Sequence, residues 1–95
     1  MAHSEFYLIV YDIRDPRRLA RVAKILEQVA DRVQNSVFEA WLTQEELRKL
    51  MRRLESKIEP EEDSVRIYYL CQSCREKTRT MGEAVLVASP GVRIV

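Results

Sequence analysis

Residues 7–21, YLIVYDIRDPRRLAR, decide how this chain folds. Phe6–Tyr11 is an uncharged, apolar run that stops on Asp12, and four arginines follow at once: Arg14, Arg17, Arg18 and Arg21. Apolar residues at every position, rather than every second one, describe a strand in the middle of a sheet with layers packed on both sides. The parity of a strand puts Phe6, Leu8, Val10 and Asp12 on one face and Tyr7, Ile9, Tyr11 and Ile13 on the other. Asp12 is therefore expected to continue a core-facing row at the strand's C-terminal edge. Asp15-Pro16 then starts a helix, since an aspartate caps free amides and a proline fits the first turn. Leu19, Val22, Leu26 and Val29 predict its buried stripe as far as about Ala30. Arg17, Arg21, Lys24 and Gln28 predict its outer stripe.

Outward from that stretch, residues 32–42, RVQNSVFEAWL, read as extended, with Asn35-Ser36 marking a bulge or a break between two short strands. Thr43 and Glu46 form a capping box ahead of a second helix. Leu47, Leu50, Met51, Leu54 and Ile58 mark its buried face, and it should end before Pro60. After the acidic run Glu61-Glu62-Asp63, SVRIYYL is a further strand, with Val65, Ile67 and Tyr69 on one face. KTRTMG and EAVLVAS read as two short strands, and Pro90-Gly91 as a turn before VRIV. The simplest packing is α+β: a ferredoxin-like sandwich of β-α-β-β-α-β type, with a sheet covered on one side by two helices. The whole of 1–95 is one domain, with a core of about residues 5–81. Residues 82–95 are left as strands that need an edge to join, which the sheet of a second copy would supply.

Bulk properties narrow the function classes. Apolar residues make up 46% and charged residues 33% of the 95, as in a folded domain rather than a disordered one. The net charge of +1 supplies no global attraction to nucleic acid. Of the 16 basic residues 12 are arginine, whose planar fork suits phosphate and carboxylate. The start of the chain shows no signal peptide, and Phe6–Tyr11 is too short to span a bilayer, so we expect a cytoplasmic protein with no membrane attachment. Two cysteines are too few for a secreted disulfide framework. The only histidine, His3, stands near the start of the chain, which excludes a Ser-His or Cys-His hydrolase. With only Gly82 and Gly91, no glycine-rich loop exists to cradle a nucleotide phosphate.

Several residues carry candidate chemistry. A carboxylate ending a central strand, as Asp12 does, suits a hard-metal ligand, while the commoner use of such an aspartate is a turn in which it accepts from backbone amides. One carboxylate makes a poor Mg²⁺ site, and two copies of Asp12 across a two-fold axis would make a better one. Positive charge at a helix start opposes the helix dipole, at a cost of about a few tenths of a kcal/mol. Arg14, Arg17, Arg18 and Arg21 thus point to an anion such as a phosphate backbone, or to a solvated face offset by Asp12 and Asp15. Ser36 and Phe38, two apart, could pair a hydroxyl with a stacking ring for a nucleotide, or be a bulge serine beside a core phenylalanine. Cys71 and Cys74 are half of a zinc site unless two pairs meet across a dimer, and otherwise two reduced thiols in a turn.

Three stretches in order, YLIVYDIRDPRRLARVAKIL (7–26), DRVQNSVFEAWLT (31–43) and DSVRIYYLCQSC (63–74), resemble the small CRISPR-associated Cas-two family. The resemblance implies a homodimer with the C-terminal strand exchanged onto the partner's sheet. It implies an endonuclease of single-stranded RNA or double-stranded DNA using Mg²⁺, with Mn²⁺ as the alternative, held by Asp12 of both protomers. It further implies site positions at Tyr11, Arg17, Arg18, Arg21, Arg32, Ser36 and Phe38, and a role as an adaptor between CRISPR integrase subunits during spacer acquisition. A ferredoxin-like regulatory module with a small ligand is the third reading that composition allows.

Overall fold

A computed structural model describes residues 3–82. Its order is β1 (Glu5–Asp12), α1 (Pro16–Glu27), β2 (Asp31–Gln34), β3 (Val37–Leu42), α2 (Gln44–Glu55), β4 (Ser64–Leu70) and α3 (Gln72–Lys77). The four strands form one antiparallel sheet in the order β2-β3-β1-β4, which is the ferredoxin-like arrangement. The expected strands at EAVLVAS and VRIV, the Pro90-Gly91 turn and the exchange of residues 82–95 lie outside the described residues.

The helix starts follow their sequence signals. Asp15 accepts hydrogen bonds from the Arg17 and Arg18 amides, both at 3.0 Å, and Pro16 opens α1. At α2, Thr43 Oγ1 accepts from the Glu46 amide at 3.1 Å while Glu46 Oε1 accepts from the Thr43 amide at 2.8 Å. Asn35 and Ser36 break the 32–42 run into a hairpin, with Gln34 opposite Val37 and a register shift between Arg32 and Gln34.

The core lies between the sheet and the two long helices. Tyr7, Ile9 and Tyr11 of β1, Phe38 and Ala40 of β3, Val22, Ile25 and Leu26 of α1, and Leu50 and Leu54 of α2 fill it. Three expectations need correction. The Asp12 row, Leu8, Val10 and Asp12, lies on the sheet face away from α1 and α2, because the helices cover the Tyr7 row. Leu19 and Val29 are exposed, since α1 turns Val22, Ala23, Ile25 and Leu26 inward and ends at Glu27, and Met51 is likewise exposed, since α2 buries Leu50 and Leu54. KTRTMG is not a strand. Lys77 closes α3, where Thr78 Oγ1 donates to the Cys74 carbonyl at 2.9 Å and the Thr78 amide to that of Arg75 at 3.1 Å.

The helix-free face is not bare at its far end. Phe6 and Trp41 meet edge to face at 5.2 Å, and the Arg75 guanidinium from α3 lies 4.7 Å from the Trp41 ring centre. Arg75 also donates to the Leu70 carbonyl at 2.7 Å, so it anchors α3 to the end of β4.

Candidate nucleic-acid interface

Asp12 ends β1 opposite Ser64 of β4, exposed, beside a shallow depression of about 240 Å³ on the helix-free face. Val10, Ser64, Arg66 and Tyr68 share that depression. Central placement between β3 and β4 makes the strand rigid, while its last carboxylate stays open to solvent.

The loop after Asp12 is held by Asp63, a residue that the sequence did not single out. The Asp63 side chain is fully buried and accepts four hydrogen bonds: from Arg18 Nε at 2.8 Å and NH2 at 3.2 Å, and from the amides of Glu59 at 2.8 Å and Arg14 at 3.1 Å. The Arg18 guanidinium, then the Glu59 and Arg14 amides, hold its carboxyl well below the usual carboxylate range against the opposing effect of burial. A buried carboxylate without such partners would neutralise instead. Asp63 thus ties the loop before α1 and its first turn to the start of β4, one residue from Ser64 and, through the Arg14 amide, two residues from Asp12. The signal was present in the sequence as the last acidic residue before a strand, but it looked like part of a solvated acidic loop.

This changes the reading of the arginines. Arg18 is engaged with Asp63 and, at 3.6 Å, with Glu62, so its charge is already neutralised. Arg14, Arg17 and Arg21 are exposed. Arg32 is also exposed and lies 5.2 Å over the Phe38 ring.

Tyr11 and Phe38 are both buried on the helix side, with ring centres 6.0 Å apart. Phe38, wholly inaccessible, presents no face to a base, which corrects the stacking role expected of it. The Tyr11 hydroxyl donates to the Asn35 carbonyl at 3.1 Å, and the Tyr11 amide to the Ser36 carbonyl at 3.1 Å. Burial raises the Tyr11 pKa, so the phenol stays protonated as a donor. These two bonds seat the hairpin tip, with half-buried Ser36, against the end of β1. Ser36 therefore stands near Asp12, but on a turn rather than sharing a strand face with Phe38.

Cys71 and Cys74 are free thiols that bracket the first turn of α3. No group of three or more His, Cys, Asp or Glu side chains suited to one metal ion occurs among the described residues. A single copy therefore offers a hard ion Asp12 as a lone carboxylate.

A family model described as "CRISPR associated protein Cas2" matches residues 5–78. The chain belongs to the CRISPR-associated protein Cas2 family. "CRISPR-associated endoribonuclease Cas2 1" of Chloroflexus aurantiacus is 46% identical over 79 residues, 82% of this chain and 85% of that one. The structure of Streptococcus pyogenes Cas2 at pH 6.5 matches with a TM-score of 0.71 and 35% identity, over 81% of this chain and 99% of that one. A chain of the structure named "Partial Cas6-RT-Cas1--Cas2 complex" matches with a TM-score of 0.73 and 26% identity, over 93% and 99%. No helix among the described residues is long and apolar enough to cross a membrane.

Proposed function

We propose that this family member is a CRISPR adaptation protein that acts as a homodimer and carries metal-dependent phosphodiesterase activity toward single-stranded RNA or double-stranded DNA. The observation that carries this reading is Asp12, an exposed carboxylate fixed at the end of the central strand on the sheet face that α1 and α2 leave open. A lone carboxylate with waters and phosphate oxygens is a minimal Mg²⁺ shell, and Asp12 from a second copy would complete a better one. Mg²⁺ or Mn²⁺ bound there would supply charge neutralisation and an acidified water.

The chain's own residues do the rest. Arg14, Arg17 and Arg21 bind phosphates without reading bases, since each is an exposed cation on the loop or helix that follows Asp12. Arg18 positions them by holding Asp63. Ser36 donates its hydroxyl to the sugar-phosphate backbone near the end of β1, and Tyr11 holds the hairpin tip that carries Ser36. Arg32 packs on Phe38 and extends the cationic rim along β2.

A second reading is favoured by the match to a chain of a complex named for Cas1 and Cas2. In it the homodimer is a platform for duplex DNA between integrase subunits and performs no chemistry.

A nuclease assay on the folded protein, wild type beside Asp12→Asn, with Mg²⁺, Mn²⁺ or EDTA, separates the two. Metal-dependent cleavage that disappears in the variant supports the enzyme. Cleavage that survives in Asp12→Asn removes Asp12 from the chemistry. No cleavage by either protein, with duplex DNA bound and the binding weakened by Arg17→Glu and Arg21→Glu, supports the platform.

A further inference from the structure

Cys71 and Cys74 take no part in the function proposed above. They are free thiols spaced one helical turn apart, with their sulfurs 3.5 Å from each other. Cys71 is the N-cap of α3 and half-buried, and Cys74 is exposed. A disulfide needs its sulfurs at about 2.0 Å, so closure asks for a movement of roughly 1.5 Å. A three-residue spacing allows that movement within the first turn of α3.

We propose that Cys71 and Cys74 are a reversible dithiol–disulfide modification site, with Cys71 the attacking sulfur and Cys74 the resolving one, oxidised by small-molecule disulfides of the glutathione class. The 3.5 Å approach of the sulfurs makes the pair, and the polarity around each sulfur makes this division. The Cys74 N–H, then the Cys74 thiol, favour the Cys71 thiolate, and the Ser73 N–H and the positive charge of Arg75 add smaller contributions against the opposing effect of burial. Those influences lower the Cys71 pKa. The Cys74 thiol is pushed up, first by its hydrogen-bonding contact with Cys71 and then by the charge there. A thiol that ionises readily attacks, and one that holds its proton waits.

In the first step the Cys71 thiolate attacks one sulfur of glutathione disulfide. A protein–glutathione S–S bond forms, the glutathione S–S bond breaks, and its electron pair leaves on the first glutathione thiolate. In the second step Cys74 passes its proton to solvent and attacks Cys71 Sγ. The Cys71–Cys74 bond forms and the second glutathione thiolate leaves. The dithiol loses two electrons and two protons, and the glutathione disulfide gains them as two thiols.

The site is coupled to the sheet. Arg75, the residue after Cys74, carries the contacts to Trp41 and to the Leu70 carbonyl. A bond between Cys71 and Cys74 fixes the turn from which Arg75 projects.

The test equilibrates the full chain with glutathione buffers of rising disulfide content, quenches with acid and reads intact mass. The expected product is a species lighter by two hydrogens, without a glutathione adduct and with no linked dimer, restored by dithiothreitol. Cys74→Ser is expected to stop at the glutathione adduct on Cys71, forming it several-fold faster than Cys71→Ser forms one on Cys74. A wild-type chain that remains a dithiol in fully oxidised glutathione overturns the proposal. Accumulation of the stable adduct, or of a disulfide between two chains, overturns it equally. Equal rates for the two single variants overturn the assignment of Cys71 as the attacking sulfur.

Discussion

The two faces of β1 share one stretch of eight residues and one set of ladder bonds, yet they are built for opposite ends. Tyr7, Ile9 and Tyr11 face α1 and α2 and are sealed. On the other face Phe6 is sealed against Trp41, Leu8 and Val10 are half-buried and Asp12 is open. The difference teaches that the strand's apolar content is spent on rigidity along its first face, so that its second face can end in an exposed charge without fraying. A strand needs only one packed face to be fixed, and the other is free to carry function.

The sharpest test of that division is a pair of truncations. Ile9→Ala leaves a cavity in the core and should cost about 2–5 kcal/mol in urea unfolding. Leu8→Ala, one residue away, should cost no more than about 1.5 kcal/mol, in line with partial burial. Equal losses would mean that both faces are packed alike in solution.

Asp63 extends the comparison to the loops. Asp63→Asn keeps the shape but replaces a carboxylate facing four donors, so the melting temperature should fall by several degrees in calorimetry. The pH dependence follows from its depressed pKa. The folded chain holds Asp63 ionised, so its contribution is complete above about pH 4, where the unfolded carboxyl is ionised as well. That contribution is lost as pH falls below 4 toward the folded value. The gap between wild type and Asp63→Asn should therefore be constant from pH 5 to 8 and close in acid.

Thr43→Ala removes one half of the capping box and should cost about 1 kcal/mol in the same unfolding experiment, with no effect on nucleic-acid binding. At the small end, Asp12→Asn should shift stability by no more than about 0.5 kcal/mol, as expected of an exposed group outside the core. A larger loss would move Asp12 from the open face into the structure proper.

How far the sequence reveals this molecule depends on whether the deciding contact is local. The Asp15-Pro16 start, the Thr43–Glu46 box and the break at Asn35-Ser36 are local, and each was readable from a few adjacent residues. The choice of face was not, because both rows of β1 are apolar and only the helices' own stripes decide which is covered. Asp63 was missed for the same reason: its partners Arg14 and Arg18 are 49 and 45 residues away in sequence. The KTRT stretch misled because alternating threonines favour a strand, whereas the Thr78 hydroxyl finds a helix carbonyl one turn back. Arg18 looked equivalent to Arg17 and Arg21 until Asp63 singled it out. Of the candidate site, its exposed members were legible by type and spacing. The supporting roles of Tyr11 and Phe38 became visible only with the hairpin folded onto β1.

Trp41 is the only tryptophan in the chain, and it stands half-buried on the helix-free face between Phe6 and the Arg75 guanidinium. Its emission is therefore a built-in optical gauge of one surface of the sheet and of α3 resting against it. A guest that covers this surface should shift the emission to shorter wavelength by drying the indole. One that sits only on the exposed outer side of α1 should leave the spectrum unchanged. No label is needed to tell the two apart.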